Sequence, residues 1–248
     1  MADKEFYIGF QEKAPPGIAS FLRTRVALLL LIAVLLGAGL AMMQSPFAAS
    51  FFDFGNLQTW KGRLAEAPVP SIVVAGEDGK ETNVPLVHPG KFGAEETVSG
   101  RDGQAVELRA TLIQRGLTWM LEAVPGSVRP AALDAALPLP HPQPLGEWAL
   151  VGEIVDSKCY LGVMNPGRGK VHKSCAINCI RGGIPPLLRI GSGDRQLLLL
   201  LLDSQGQPVN QAILDRIGVP VRVNGEVERH GNWLVIKASP SNIRRLRR

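Results

Sequence analysis

The chain has 248 residues, a formal net charge of +5, 27 glycines and 19 prolines. Its length allows an anchor plus two domains of roughly 100 residues each, and its glycine and proline content favours many turns over long helices. The charge is modest and partly confined to a basic tail, Arg244, Arg245, Arg247 and Arg248. A single basic tail of this kind is usually a solvated end and only sometimes a contact for lipid headgroups or an acidic partner.

The first predicted element is a membrane-spanning helix. Residues 26–43 read VALLLLIAVLLGAGLAMM without a charge, and about 20 apolar residues suffice to cross a bilayer. A cleavable signal peptide is the alternative, but its apolar core is usually only about 7–15 residues long. The basic residues before the segment are Lys4, Lys13, Arg23 and Arg25, and the next one after it is Lys61.

This charge asymmetry predicts the orientation of the chain. Under the positive-inside bias, basic residues stay on the cytoplasmic side of the membrane. Residues 1–25 are then a cytoplasmic tail, residues 26–46 are the anchor, and the remainder is exported. We therefore expect a single-pass protein of a bacterial inner membrane with periplasmic domains.

The sequence pattern of residues 54–124 predicts a first β domain. Short β-type runs alternate there with turn residues, at 57–68, 71–76, 82–87, 105–115 and 118–124. Apolar and polar residues alternate best in the fourth run. His88 lies in a VHPGKFG loop, where a lone histidine is more often structural or exposed than functional. The proline-rich stretch 125–145 predicts an extended linker.

The region 146–248 repeats this plan and predicts a second β domain. Its β-type runs lie at 148–159, 185–192, 195–204, 219–230 and 232–239, with a helical segment at 209–218 before the fourth run. This order of elements is typical of the OB-fold, a small Greek-key barrel. Gly116 and Gly231 occupy matching hairpin positions, and Trp119 and Trp233 follow them. The sequence thus predicts an all-β protein with minor α content, built from two tandem OB-like barrels.

All three cysteines lie in one insertion after the first strand of the second domain. Residues 171–181 have a helical pattern that ends at a Gly-Gly pair. On such a helix His172, Cys175 and Cys179 share one face, and Cys159 lies at the end of the preceding strand. These four residues are the candidate metal ligands. Their number and softness suit tetrahedral zinc first, with copper(I) or an iron–sulfur cluster as alternatives.

The cysteine pattern also fits two alternatives to a metal site, a disulfide and a redox-active thiol. In an oxidising compartment, three cysteines often form one disulfide and leave one free thiol. A bridge would join Cys159 to Cys175 or to Cys179, because the two helical cysteines are one turn apart. No metal would then be needed. A redox-active thiol is a third alternative, although the chain has no Cys-x-x-Cys pair, the spacing that favours fast thiol exchange.

The segment from 152 to 186, GEIVDSKCYLGVMNPGRGKVHKSCAINCIRGGIPP, resembles the signature of a group of exported bacterial OB-like domains of unknown function. That signature has a Gly-x-x-Val-Asp-x-x-Cys strand, then His-x-x-Cys-Ala-x-x-Cys, then Gly-x-Pro. The matching residues are Gly152, Val155, Asp156, Cys159, His172, Cys175, Ala176, Cys179, Gly183 and Pro185. The resemblance covers the second domain alone. It implies a dedicated site without naming its ligand.

These observations favour a binding protein over an enzyme. The sequence has no paired carboxylates, nucleophile elbow or phosphate loop that would indicate another chemistry. We expect a membrane-anchored accessory protein with a Cys/His metal or cofactor site, serving a membrane redox complex. The alternatives are a periplasmic thiol–disulfide redox protein and a disulfide-braced interaction module without a ligand. Nucleic acid is not expected as a partner, since few aromatic residues are free to stack on bases.

Overall fold

The structure is a computed structural model that describes residues 14–43, 50–76, 80–133, 137–192 and 195–246. The chain divides into two compact units, Met1–Phe47 and Ala48–Arg248. Parts of the predicted tail, the end of the anchor at 44–46 and the last two arginines lie outside the described residues.

The first unit contains one long helix, α1 (Pro16–Met43). It is the one helix of the described chain that is long and apolar enough to cross a membrane. None of its side chains is buried. An uncovered apolar helix of this length suits either a membrane anchor or a signal sequence.

The second unit begins with a closed five-stranded barrel. The strands of this barrel are β2 (Gln58–Ala65), β3 (Ser71–Ala75), β4 (Glu81–His88), β6 (Ala105–Arg115) and β7 (Thr118–Ala123). Three short strands extend the sheet, namely β1 (Ser50–Phe52), β5 (Phe92–Gly93) and β8 (Arg129–Pro130). Parallel pairing of β4 with β7 closes the barrel. A one-turn helix, α2 (Glu95–Val98), lies between β5 and β6.

A second closed five-stranded barrel follows with the same topology. Its strands are β9 (Pro142–Asp156), β10 (Pro186–Ile190), β11 (Leu197–Leu202), β12 (Pro220–His230) and β13 (Trp233–Lys237), and β14 (Ile243–Arg245) pairs with β12. Here the closing parallel pair is β11 with β13. Helix α3 (Gly169–Arg181) lies in the connection between β9 and β10.

Glycines at matching positions support the predicted repetition. Gly62 in β2 and Gly152 in β9 each lie so close to a neighbouring strand that a Cβ would collide with a carbonyl oxygen, that of Val73 or of Arg189. Gly116 and Gly231 both open two-residue hairpins with positive φ values of 55° and 60°. The prediction of an all-β chain with two tandem OB-like barrels is confirmed.

Two local features differ from the sequence patterns. The helical segment before β12 is a 3₁₀ helix, Asn210–Arg216, rather than an α-helix. The proline-rich stretch carries β8, which pairs with β6, and it ends inside β9, which begins at Pro142. Proline has no backbone N–H to donate to a neighbouring strand. It is therefore tolerated at the start of β9 and in the short edge strand β8.

One of the buried hydrophobic clusters spans the two barrels. Val87, Ile113 and Met120 of the first barrel belong to the same buried cluster as Leu187, Leu200, Trp233 and Val235 of the second. The indole N–H of Trp233 donates to the carbonyl oxygen of Asn83 at 2.9 Å. The barrels therefore pack against each other within one compact unit.

A buried ion pair crosses the same interface. The ammonium of Lys158, whose side chain is 4% exposed, pairs with the Glu122 carboxylate of the first barrel. It also donates to the carbonyl oxygens of His88 and Gly90, at 2.8 Å each. A lysine buried to this extent needs all of these partners, because an unpaired buried charge is strongly unfavourable.

Lys158→Met should lower the free energy of unfolding by about 3 kcal/mol, because removing one partner of a buried pair leaves the other uncompensated. Denaturant titration of the full chain in mild detergent measures this change. Lys61→Met is the matched control, since Lys61 pairs with Glu107 at 4.0 Å on the exposed surface and should cost less than about 1 kcal/mol. Equal losses in the two variants would contradict a structural role for the buried pair.

Candidate metal centre

The candidate site lies in the connection between β9 and β10, which in an OB-fold is one of the loops that bind ligands. Directly after β9 the chain forms a single π-helical turn, Cys159–Val163, and such turns are frequent at functional sites. Helix α3 follows and ends at Arg181, and the N–H of the next residue, Gly182, donates to the carbonyl oxygens of Asn178 and Cys179. Gly183 leaves the helix with a φ of 102°, a conformation that favours glycine.

These two elements bring sulfur and imidazole groups together. The ligand atoms of Cys159, His172 and Cys175 all lie within 4.8 Å of one another. Cys159 belongs to a second such group with Asp156 and Cys179, and its Sγ lies 3.9 Å from that of Cys179. All three cysteines are free thiols. The two groups share Cys159, which makes it the centre of the cluster.

Asp156 orients two of these residues. Its Oδ1 accepts a hydrogen bond from the backbone N–H of Cys159 at 2.8 Å, and its Oδ2 lies 3.0 Å from Nε2 of His172. Both Asp156 and His172 are buried. When Nε2–H donates to the carboxylate, Nδ1 carries the lone pair that a metal needs, and carboxylate–histidine pairs of this kind accompany most histidine ligands.

The first barrel contributes a cation to the cluster. The Nζ of Lys91, in the loop between β4 and β5, donates to Sγ of Cys175 at 2.9 Å and to Sγ of Cys179 at 3.5 Å. The contact with Cys175 raises the pKa of Lys91 above its ordinary value, so the side chain stays protonated. The cluster therefore lies where the two barrels meet.

The thiols differ in their tendency to ionise. A hydrogen bond from Cys159 lowers the pKa of Cys179 to about 7, and Lys91 contributes in the same direction. The pKa of Cys159 is raised by this hydrogen bond, by burial and by the Asp156 carboxylate. Cys179 is thus the thiol that ionises first, with Cys159 as its hydrogen-bond donor.

The structure brings three of the four predicted ligands together, Cys159, His172 and Cys175, whereas Cys179 lies in the second group with Cys159 and Asp156. Asp156 is also one of the residues that match the sequence signature. Lys91 was missed. It lies 84 residues before Cys175 in the chain, and the VHPGKFG loop that contains it drew attention only to His88. That histidine is half-buried, and its Nε2 lies 2.7 Å from the hydroxyl of Thr97, which fits the structural role expected for it.

Neither protein-family models nor curated proteins nor solved structures match this chain. The assignment of the site therefore rests on the geometry of its own residues.

In the metal-free full-length protein, thiolate absorbance should develop with a midpoint near pH 7, because the pKa of Cys179 is lowered to about 7. This pKa lies below that of the same thiol in the unfolded chain. Cys179 therefore contributes stability that is fully present above the unfolded pKa and is lost as the pH falls through the folded value.

Cys159→Ala should move this midpoint toward the ordinary thiol value of 9.0, because it removes the hydrogen bond that favours the Cys179 thiolate. Ultraviolet titration of both proteins, with Cys179→Ser as the blank, measures the shift. A wild-type midpoint that already lies near the ordinary value would contradict the thiol–thiolate pair.

Proposed function

We propose that this protein is an accessory protein of a bacterial inner membrane, with its barrels in the periplasm, that binds a soft metal ion through Cys159, His172, Cys175 and Cys179. Zinc is the ion that suits this donor set best, and copper(I) is the main alternative. The observation that carries the proposal is the convergence of Cys159, His172 and Cys175 within 4.8 Å.

Charge balance supports this assignment. A divalent zinc ion with three thiolates and a neutral imidazole has a net charge of −1, and the Lys91 ammonium beside two of the sulfurs compensates it. A partly buried site needs such compensation, since an isolated charge is costly away from water. The Asp156 contact to His172 supports it as well, because loss of a partner that orients a ligand typically lowers metal affinity by about 10-fold to 100-fold.

The membrane location rests on α1 and on the basic residues before it. An accessory protein of a redox complex in the same membrane fits this location and the soft donor set. Protease treatment of spheroplasts tests the orientation: we expect digestion of the barrels without cell lysis, whereas protection of the barrels would place them in the cytoplasm.

Full-length protein purified in mild detergent should contain close to one zinc ion per chain by elemental mass spectrometry. Cys159→Ser, Cys175→Ser and His172→Gln should each abolish stoichiometric binding, because each removes a ligand. Asp156→Asn should weaken zinc affinity by about 10-fold to 100-fold, since it alters the orientation of His172. Chelator competition measures these affinities.

His141→Gln is the matched control, because His141 is exposed before β9 and distant in sequence from the cluster. It should bind zinc as the wild-type protein does. Metal-free wild-type protein that fails to take up zinc or copper(I) would contradict the proposal.

A second candidate function is thiol–disulfide exchange. The observation that favours it is the 3.9 Å separation of the Cys159 and Cys179 sulfurs, combined with the lowered pKa of Cys179. A low-pKa thiol beside a second thiol is typical of redox-active pairs. Protein that binds no metal, has one free thiol after denaturation and shows a reduction potential above about −200 mV would favour this function over metal binding.

A further inference from the structure

Lys91 of the first barrel contacts Cys175 of α3 at 2.9 Å, and no step of metal binding or thiol exchange uses the lysine as a reacting group. We propose that, in the metal-free protein, dioxygen converts this pair into a covalent bridge in which one oxygen atom joins Nζ of Lys91 to Sγ of Cys175. The bridge is a reversible oxidative modification that links the first barrel to α3.

The geometry brings the reacting atoms together in an accessible place. The Nζ of Lys91 lies 2.9 Å from the Cys175 sulfur, and a nitrogen and a sulfur joined through a single oxygen lie only slightly closer. Lys91 is exposed and Cys175 is half-buried, whereas Cys159 and Cys179 are buried. Dissolved oxygen therefore reaches this pair more readily than it reaches the other two sulfurs.

The backbone holds Lys91 against the end of α3. The N–H of Gly93 donates to the carbonyl oxygen of Gly182 at 2.9 Å. A Cβ at Gly182 would collide with the carbonyl oxygen of Lys91, so the glycine is what permits the approach. The loop from β4 to β5 is thus fixed on the helix, and the contact does not depend on a chance position of a long side chain.

The reaction balances without an external proton. The Cys175 thiol and the Lys91 ammonium react with one dioxygen molecule to give the S–O–NH bridge, one water molecule and one released proton. The O–O bond, the S–H bond and two N–H bonds break, while the S–O bond, the O–N bond and the two O–H bonds of water form. Sulfur and nitrogen lose two electrons each, and these four electrons reduce both oxygen atoms. One oxygen remains in the bridge, and the other leaves as water with the two ammonium protons.

The experiment uses the full chain in mild detergent, stripped of metal with a chelator, reduced, and then exposed to air. Intact-mass and peptide mass spectrometry should detect a gain of one oxygen and a loss of two hydrogens, located on a cross-linked peptide pair that contains Lys91 and Cys175. A reducing thiol should restore the original mass. The readout involves no metal, so its outcome is separate from that of the zinc measurements.

Three variants sharpen the test. Lys91→Arg keeps a positive hydrogen-bond donor at the cluster and should abolish the cross-link, as should Cys175→Ser. Cys179→Ser leaves the reacting pair intact and should retain it. The proposal is overturned if air-exposed wild-type protein shows no Lys91–Cys175 cross-link, or a cross-link without added oxygen. It is also overturned if Cys175 gains oxygen with no loss of hydrogen, as in a sulfenic acid.

Discussion

The ammonium of Lys158 is buried between the barrels, where it pairs with Glu122 and donates to two carbonyl oxygens, one at the end of β4 and one in the loop after it. This one side chain fixes the start of the Cys/His connection against the first barrel. Cys159 follows it directly in the sequence, and the loop that it holds contains Lys91. The position of the cluster therefore depends on the packing of both barrels, and a barrel isolated from its neighbour would lose the Lys91 contact with the sulfurs.

The four residues Asp156–Cys159, at the end of β9, have three structural roles. Asp156 orients His172 and the backbone of Cys159, Lys158 anchors the segment to the first barrel, and Cys159 supplies the central thiol. The remaining thiols come from α3, whose end contacts the same loop of the first barrel. A metal bound here would join the turn after β9 to α3, so its binding would also stabilise their packing.

Much of the fold could be predicted from the sequence, because alternating apolar residues and Gly turns are local signals. The hairpins at Gly116 and Gly231 and the helix with Cys175 and Cys179 are examples. Lys91 could not be predicted as part of the site, since its contact with Cys175 spans 84 residues and arises from barrel packing. The hydrophobic cluster that spans the two barrels could not be predicted either. A proline-rich stretch is typical of a linker whether or not the domains that it joins pack together.

The most direct test of the central claim is the X-ray absorption spectrum of the zinc-loaded full-length protein at the zinc edge. Coordination by three thiolates and one imidazole predicts three sulfur neighbours at about 2.3 Å and one nitrogen neighbour at about 2.0–2.1 Å. A spectrum with only oxygen and nitrogen neighbours would contradict a Cys/His metal centre at the junction of the two barrels.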